Sequence, residues 1–469
     1  MKFEDTMNHR MAMLTLVAAA LVAGGCGNDD SQAPAPPVYD GSAVQLIPEN
    51  VLAAEVTVRA TRYDSVSVAY RAAGDAPQQT PKVAFQGDTV VTVPVLGLKA
   101  ATAYTLGIVL SRAGAADTTV ESLALTSGAL PGWIPAIGAT GTSGEPGYLG
   151  LSLPEGAVTV DNAGRVAWYH HSPNGVLNSF QAHPGGVYTL LGTGATETEF
   201  RVLDLFGRQI GTLACVGRPT RFHDLLVAAG GDAWLLCDET RTMDLTAVGG
   251  QAAASVTATV VQHLSASGTV LWEWNAFDHF DITDLPLGAR TGAAVNFTHG
   301  NGIGFDADGK LLLSFRSLNE VTKVDTATGA VVWRLGGLRN EFTIAGDPQG
   351  GFVRQHGVRA AGNGELQMLD NGANPPSRLA RYALDETGRV ATLAWGFADS
   401  PTTYTAVGGS SQYHPDGHAT VSFGQAGRVV EVNAAGSRVW ELTGLDGIYV
   451  FRAQRIQSLY SAGRDDPTR

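Results

Sequence analysis

Three histidines occupy equivalent places in short repeated segments of the chain. His223, His299 and His356 lie at the start of "FHDLLVAAGGD", "THGNGIGFDADG" and "QHGVRAAGNG", each six or seven residues before a glycine-containing turn. The apolar run between histidine and turn predicts the first strand of a β-hairpin. One histidine on a strand is usually a structural residue, but three at one repeat position indicate a functional centre.

The segment around His299 shows which other side chains share this position. In "NFTHGNGIGFDADGKLLLSFRS", Asp306–Gly309 form a predicted four-residue turn between two apolar strands. The expected pairs are Phe305 with Lys310, Asn301 with Ser314 and His299 with Arg316. Opposed side chains lie about 5 Å apart on one face of a hairpin, although a bulge would shift the pairing by one residue. This pairing places Arg316, His299 and Asn301 together at the open end of the hairpin. Because these side chains can donate hydrogen bonds, the pairing predicts an anion site.

The residue types favour an anion over a metal ion. By the same pairing count, Asp238 ends the partner strand in the His223 hairpin and Asn371 ends it in the His356 hairpin. Neutral imidazoles can bind zinc, but Arg316 would lie beside the metal. A guanidinium group instead offers paired donors to the oxygens of a tetrahedral anion. We therefore expect binding of an anionic group without a metal or another cofactor.

The elements that must position these side chains are short strands. The chain has 469 residues, of which 58 are glycine, 44% are hydrophobic and 16% are charged. This composition is typical of many strands joined by tight turns, and the length predicts two domains or a repeat. The net charge of −13 argues against a nucleic-acid partner, so an anion site must be made locally.

A repeated strand pattern fills residues 133–469. Similar strands end in tryptophan after a turn rich in Gly, Ser or Asn, at Trp168, Trp272, Trp333, Trp395 and Trp440. An earlier hairpin completes each unit of four antiparallel strands, which is one blade of a β-propeller. Six units are expected to begin near residues 147, 178, 221, 298, 355 and 409, and the last strand, in "VFRAQRIQSLYS", should complete the first blade. First strands of blades line the central channel, so the three histidines should converge there.

Residues 41–130 have a different sequence pattern, without the tryptophan repeat. Alternating runs such as "AAEVTVRATRYDSVSVAYRAA" predict a small β-sandwich, and "ATAYTLGIVL" resembles a fibronectin type III strand with a tyrosine at its corner. The predicted fold class is therefore all-β, with a fibronectin III-like or Ig-like sandwich followed by a six-bladed propeller. No residue of the predicted sandwich suggests chemistry.

The N-terminal residues predict export. Residues 1–25 combine basic residues with the apolar run "MAMLTLVAAALVAGG", which is typical of a signal peptide. "LVAGGC" resembles the lipobox of a bacterial lipoprotein, in which Cys26 would carry the lipid, and residues 26–40 form a Pro-rich tether. We expect a periplasmic or cell-surface lipoprotein that touches the membrane through Cys26, with plain secretion as the alternative.

Two further features leave alternatives open. Cys215 and Cys237 are either a disulfide, as suits an exported protein, or two buried thiols. The insert "NAFDHFDITDLPLGARTGAAVNF" carries Asp278, His279 and Asp281 and is either a rim or lid loop or an ordinary surface loop.

The motifs "FHD", "THGNG…SFR" and "QHGVR…LDNG" resemble those of the bacterial aryl-sulfate sulfotransferases, over nearly the whole mature chain. The resemblance implies export, an N-terminal sandwich, a six-bladed propeller, and transfer of a sulfuryl group from a phenolic sulfate ester to a phenol without a nucleotide donor. It implies that His356 is the nucleophile that forms a sulfohistidine in a ping-pong reaction. It also implies that His223 is a site histidine and that His299, Asn301 and Arg316 bind the sulfuryl group.

The acceptor phenol needs a base, and either His223 or His299 could serve. Two other functions remain as alternatives. One is a metal-dependent propeller hydrolase that uses the histidine cluster, and the other is a non-catalytic exported propeller that binds a ligand. The expected partners are a small phenolic sulfate and a phenol, and the sequence leaves a homodimer open.

Overall fold

The structure, a computed structural model, describes residues 36–172, 177–192 and 199–460. The described residues divide into two compact units, with the boundary between Leu130 and Pro131. The predicted signal peptide, Cys26 and most of the predicted tether lie outside the described residues. The described residues form strands and short 3-10 helices without an α-helix, which confirms the all-β class. Within these residues, no helix has the length and apolarity needed to cross a membrane.

The first unit packs two antiparallel sheets around an apolar core. Its strands are β1 (Val38–Ile47), β2 (Asn50–Thr61), β3 (Ser65–Ala72), β4 (Gln78–Gln79), β5 (Val83–Ala84), β6 (Val90–Val95), β7 (Ala103–Ser111) and β8 (Thr118–Thr126). The sheets have the orders β1-β2-β6 and β4-β3-β7-β8, with β5 paired to β3. Val56, Val68 and Leu106, from both sheets, are fully buried in this core. Tyr104 accepts a hydrogen bond from the Lys99 N–H at 2.7 Å and ties the corner before β7 to the sheet.

The sandwich begins earlier than predicted. Strand β1 starts at Val38, inside the residues assigned to the tether, because the segment from Val38 to Ile47 pairs along its length with β2. The predicted boundary at residue 41 is therefore three residues late.

The described residues of the second unit form six sheets, which are antiparallel except where the short strands Ala294–Asn296 and Thr343–Ala345 are added in parallel. Its strands are β9 (Gly138–Gly141), β10 (Tyr148–Leu153), β11 (Gly156–Asp161), β12 (Val166–His171), β13 (Leu177–His183), β14 (Val187–Gly192), β15 (Phe200–Leu203), β16 (Gln209–Leu213), β17 (Thr220–Val227), β18 (Ala233–Met243), β19 (Ala254–Leu264), β20 (Val270–Asn275), β21 (Ala294–Asn296), β22 (Gly300–Phe305), β23 (Leu311–Phe315), β24 (Glu320–Val324), β25 (Val331–Gly336), β26 (Thr343–Ala345), β27 (His356–Ala360), β28 (Glu365–Asp370), β29 (Arg378–Asp385), β30 (Val390–Ala398), β31 (Ser410–Tyr413), β32 (Ala419–Ser422), β33 (Val429–Val432), β34 (Arg438–Thr443) and β35 (Ala453–Ile456). Five 3-10 helices complete the described elements: Thr246–Val248, Ala276–Asp278, Ile282–Asp284, Leu287–Ala289 and Gly424–Ala426.

The sheets follow one another as blades around a ring. Their orders are β35-β10-β11-β12, β13-β14-β15-β16, β17-β18-β19-β20, β22-β23-β24-β25, β27-β28-β29-β30 and β31-β32-β33-β34. Three extra strands join the outer part of a sheet: β21 beside β19, β26 beside β30 and β9 beside β34. Inner strands touch in the succession β13, β17, β22, β27 and β31, and β35 contacts both β31 and β13. The C-terminal strand thus closes the ring as predicted, and the unit expected near residue 147 begins with the second strand of its sheet.

Tryptophans of outer strands connect neighbouring sheets. Four of them donate the indole N–H to a carbonyl in the last turn of the next sheet, whereas the Trp333 indole N–H has no partner among the described residues. The pairs are Trp168 and Leu205 (2.9 Å), Trp274 and Gly329 (3.1 Å), Trp395 and Ala434 (3.1 Å), and Trp440 and Asn162 (2.8 Å). In the third sheet this residue is Trp274, two positions after the predicted Trp272, because the pattern "WEW" places both side chains on one face of β20.

The hairpin of β22 and β23 contains two register shifts that cancel. The turn after Phe305 is one residue longer than predicted, so the pairing of Phe305 with Lys310 is wrong. The observed pairs are Phe305 with Leu311, Gly302 with Ser314 and Gly300 with Phe315. Asn301 is the extra residue of a bulge, and this shift offsets the first. As a result Arg316 still opposes His299, and its N–H donates to the His299 carbonyl at 3.0 Å.

Candidate active site

A cavity of about 280 Å³ lies where chain segments enter the inner strands of the ring. Its lining residues are Arg221, Phe222, His223, His299, Arg316, His356, Val407, Gly408, Tyr449 and Phe451. The structure therefore brings together four predicted site residues, His223, His299, His356 and Arg316. They come from three successive sheets, because each histidine stands at or near the start of an inner strand.

His356 is held by the backbone and an amide on one side of its ring. Its Nδ1–H donates to the Asn371 Oδ1 at 2.7 Å and to the Arg354 carbonyl at 2.9 Å. The orientation of Asn371 is fixed, because its Nδ2 donates to the carbonyls of Thr405 and Gly408, both at 2.9 Å. The proton of the neutral ring therefore sits on Nδ1, and the Nε2 lone pair has no partner in the described part of the chain.

The His356 ring is neutral at physiological pH. Burial, followed by the charge of Arg316, lowers its pKa to about 4, although the hydrogen bond to Asn371 acts in the opposite direction. A neutral imidazole with a free Nε2 lone pair is a nucleophile.

His223 and His299 form a second, hydrogen-bonded pair of imidazoles. Their Nε2 atoms are 3.2 Å apart, and Asn296 Nδ2 donates to Nδ1 of His299 at 2.6 Å. His299 therefore carries its proton on Nε2 and donates it to His223. The backbone of His299 is in the left-handed region, with φ of 53°, an uncommon conformation for a residue other than glycine.

Both members of this pair are neutral as well. Burial, then the charges of Arg221 and Arg316, lowers the pKa of His299 to about 3. Burial, then the nearness of His299, lowers the pKa of His223 well below its usual range. Because uncharged imidazoles can take up a proton, the pair is suited to act as a base.

Arg316 supplies an unpaired positive charge at the cavity. Its Nη2 donates to the Ala406 carbonyl at 3.3 Å, and it has no carboxylate partner among the described residues. Burial lowers its pKa, and the charge of Arg354 contributes in the same direction, although a guanidinium remains charged at physiological pH. An unpaired, half-buried guanidinium beside neutral imidazoles is a site for an anion.

Asn301 lies behind the cavity wall and does not line it. Its side chain is buried, and its Nδ2 donates to the Gln355 carbonyl at 2.7 Å. It thereby fixes the backbone immediately before His356. The bulge at Asn301 explains this position, because it turns the side chain away from the place that an unbroken strand would give it.

A buried carboxylate ties the inner strands together beneath the histidines. Asp224 is fully buried and accepts hydrogen bonds from the guanidinium groups of Arg359 and Arg452, both at 2.9 Å. It also accepts a hydrogen bond from the Ile303 N–H at 3.1 Å. Arg452 also donates to the His223 carbonyl at 3.1 Å. These contacts connect strands of the first, third, fourth and fifth sheets.

Sequence reasoning missed the aromatic part of the cavity. Phe222 stacks on His223 with ring centroids 4.0 Å apart, and Phe451 lies 5.8 Å from His223 and 6.3 Å from His356. Tyr449 completes this wall, and burial raises its pKa to about 12. The sequence contained a signal for Phe451, because it directly precedes the predicted ring-closing strand. Residues at that position must lie near the axis, as the histidines do at the start of their inner strands.

Other predicted features surround the cavity or lie apart from it. Cys215 and Cys237 form a disulfide. The insert packs on its own sheet and on the next one, since His279 stacks on Trp274 at 4.7 Å and Phe280 lies 5.3 Å from Phe315. His279, Asp278 and Asp281 are absent from the cavity lining. Within the described ranges, no three His, Cys, Asp or Glu side chains are arranged to hold a metal ion. Cys26 lies outside the described residues.

Solved structures with a similar fold include a protein of unknown function from Bacteroides caccae, streptogramin B lyase and the nidogen/laminin complex. Their identities to this chain are 12%, 12% and 10%, and their TM-scores are 0.43, 0.38 and 0.40. The matches cover 66%, 70% and 66% of this chain and 98%, 91% and 99% of those chains. No significant match is found among curated proteins.

The second unit is therefore a β-propeller, a closed ring of sheets, with three histidines and an arginine grouped at its axis. Residues 217–445 match the family model described as Arylsulfotransferase (ASST). This region belongs to the arylsulfotransferase family, and it contains His223, His299, Arg316 and His356. The family domain supports aryl sulfotransferase activity in general. Tyr449 and Phe451 lie outside the matched region.

Proposed function

We propose that the chain transfers a sulfuryl group from a phenolic sulfate ester to a phenol through a sulfohistidine on His356. The observation that carries this proposal is the pair of hydrogen bonds from Nδ1 of His356 to Asn371 and Arg354, which fixes the tautomer with a free Nε2. A single nucleophile that serves both substrates in turn predicts ping-pong kinetics.

In the first half-reaction Nε2 of His356 attacks the sulfur of the donor. The N–S bond forms, the S–O bond to the aryl ring breaks, and the electron pair leaves on the phenolate oxygen. The imidazole ring becomes positively charged, and its Nδ1–H bonds to Asn371 and Arg354 strengthen as it does so. Arg316 is suited to stabilise negative charge on the sulfuryl oxygens.

In the second half-reaction the oxygen of an acceptor phenol attacks the same sulfur. The new S–O bond forms, the N–S bond breaks, and its electron pair returns to Nε2 of His356. The phenol proton must leave, because a phenol has a pKa of about 10. We assign its acceptor as Nε2 of His223, whose lone pair accepts from His299 until the phenol hydroxyl takes the place of that hydrogen bond. Release of this proton to the departed phenolate or to water restores the site.

The aromatic wall supports a phenolic substrate. Phe222, Tyr449 and Phe451 offer ring faces and edges within a cavity of about 280 Å³ that also contains the anion site. We further propose that the protein works outside the cytoplasm, attached through lipid on Cys26 or secreted, since its disulfide suits an oxidising compartment.

The test uses the purified full chain with 4-nitrophenyl sulfate as donor, with and without phenol, in the presence of EDTA. We expect release of nitrophenol that rises with phenol and survives EDTA. His356→Ala should abolish the release. The matched control is His279→Ala, which removes a histidine outside the cavity and should keep the rate within about twofold.

Three results would contradict the proposal. Full activity in His356→Ala would show that the reaction does not pass through a sulfohistidine on His356. Phenol-independent release that EDTA abolishes would instead indicate a metal-dependent hydrolase. No release with several donors and acceptors would indicate a propeller that only binds its ligand.

A further inference from the structure

An ion pair stands at the edge of the cavity and takes no part in the proposed chemistry. Arg221 lines the cavity, and its Nε and Nη2 donate to one oxygen of Asp238 at 2.8 and 2.7 Å. The pair is rigidly held, because the Asp238 N–H donates to the Pro219 carbonyl at 2.9 Å and the disulfide at Cys237 braces the same strand. Arg221 is thereby electrically balanced at the cavity wall.

The cavity lining therefore presents one net positive charge. Arg316 is unpaired within the described chain, Arg221 is neutralised by Asp238, and the lining histidines are uncharged because their pKa values lie far below neutrality. A sulfate monoester carries one negative charge, whereas an aryl phosphate carries almost two at pH 7. Burying a second, unbalanced charge in a partly dry cavity is costly.

We propose that Asp238, by neutralising Arg221, makes the cavity selective for singly charged tetrahedral groups and against doubly charged ones. This inference rests on the proposed function and names its substrate class as sulfate monoesters, with phosphate monoesters excluded by charge. Rejection through an unbalanced charge is an effective means of discrimination between ligands of the same shape.

The other charged or titratable groups near the site do not alter this count at the lining. They are Tyr404, Tyr449, Arg354, and Arg452 with Asp224 and Arg359. Tyr449 is uncharged, since its pKa is raised to about 12 by burial. Arg354 and Arg452 are not among the lining residues, so they add to the field but offer a ligand no direct contact.

The first test uses the wild-type chain and two unreactive anions of similar shape. Benzenesulfonate stays singly charged, whereas phenylphosphonate gains its second charge between about pH 5 and about pH 8. The cavity histidines stay neutral over this range, and benzenesulfonate reports any change in the charge of Asp238, whose pKa burial raises. The difference between the two ligands therefore reports the charge of phenylphosphonate. Calorimetry should show constant benzenesulfonate affinity and a loss of about tenfold for phenylphosphonate as the pH rises. Equal or tighter binding of the dianion would overturn the inference.

The second test changes the charge of the wall. Asp238→Asn frees Arg221 and should tighten the phenylphosphonate dianion about tenfold relative to benzenesulfonate. The double variant Arg221→Gln/Asp238→Asn restores neutrality and should return the wild-type preference. If Asp238→Asn leaves the preference unchanged, or if single and double variants agree, the inference is wrong. Thermal melting checks that each variant folds, and the wild-type test stands without them.

Failure here is distinguishable from failure of the proposed function. Turnover of 4-nitrophenyl sulfate by the wild type tests the function, whereas binding of the unreactive anions tests charge selectivity. Turnover without selectivity would overturn only the role of Asp238.

Discussion

Replacing Asn371 by leucine tests whether the hydrogen bond on the far side of His356 matters for sulfuryl transfer. The amide is buried, its Oδ1 accepts from Nδ1 of His356, and its Nδ2 holds the carbonyls of Thr405 and Gly408. Leucine has a similar volume but offers neither group. The Arg354 carbonyl, at 2.9 Å from Nδ1, remains to hold the tautomer, so the effect is graded rather than complete.

The magnitude follows from the change of charge on the ring. A hydrogen bond between neutral groups contributes about 1 kcal/mol, whereas one to a charged group contributes about 1.5–3 kcal/mol. The ring becomes positively charged as the sulfohistidine forms, so the larger value applies to the transition state. Since about 1.4 kcal/mol corresponds to a factor of ten, Asn371→Leu should slow formation of the intermediate roughly tenfold to hundredfold.

The direction in which the pKa of His356 moves predicts how the rate loss depends on pH. The bond from His356 to Asn371 raises the pKa of His356, so its loss moves that pKa further below about 4. The fraction of neutral His356 at pH 6–8 is then unchanged, roughly all of it in both proteins. The rate loss should therefore be the same across this range.

The assay is a stopped-flow burst of nitrophenol from 4-nitrophenyl sulfate without acceptor, at several pH values. The control is Ser377→Ala, whose hydroxyl donates to the Asn371 carbonyl at 2.8 Å without touching His356. It should keep the burst rate within about twofold. An unchanged burst in Asn371→Leu would refute the reasoning, as would an acid limb that moves towards neutral pH.

Two further predictions concern stability. His223, His299 and His356 have lowered pKa values when folded, so unfolded imidazoles take up protons first as the pH falls below about 6.5, and the free energy of unfolding should fall towards pH 4. Denaturant titrations should show a shallower pH slope in His299→Gln, and an unchanged slope would contradict this account. Asp224→Asn takes this carboxylate from the buried guanidinium of Arg452 and the partly buried one of Arg359, and should lower the free energy of unfolding by about 3–5 kcal/mol. Arg452→Met leaves Asp224 paired and should cost less, and the reverse order in denaturant unfolding would be inconsistent with the network.

The fold was predictable because its signals repeat along the chain. A turn followed by a strand ending in tryptophan recurs, and the structure gives the pattern a physical cause. The indole N–H of Trp168 and of Trp440 reaches a turn carbonyl of the neighbouring sheet. In the third sheet Trp272 holds the predicted repeat position, opposite His263 as Trp440 is opposite Glu431, but the indole that reaches the next sheet is that of Trp274. The boundary at residue 41 was late because a polar, Pro-rich segment hides the start of an edge strand.

The site was predictable only to the level of which residues converge. His299 and Arg316 are opposite each other as expected. This pairing results from a longer turn and a bulge that cancel, and a pairing count from the sequence gives the same answer with or without both. The same bulge turns Asn301 to the Gln355 carbonyl, so its predicted contact with the sulfuryl group remains a prediction that the geometry does not favour. Asn371 was located by the count, but its role required seeing both of its hydrogen-bonding ends.

The missed residues reveal how closure of the ring and assembly of the site are connected. Strand β35 completes the first sheet, and the residues just before it carry Phe451 and Arg452 to the axis. Phe451 packs near both His223 and His356, while Arg452 bonds to the His223 carbonyl and to Asp224. The imidazoles come from sheets far apart from β35 in sequence, so their surroundings are incomplete until the last strand docks. Pairing of β35 with β10 therefore builds the wall of the cavity in the same step that closes the ring.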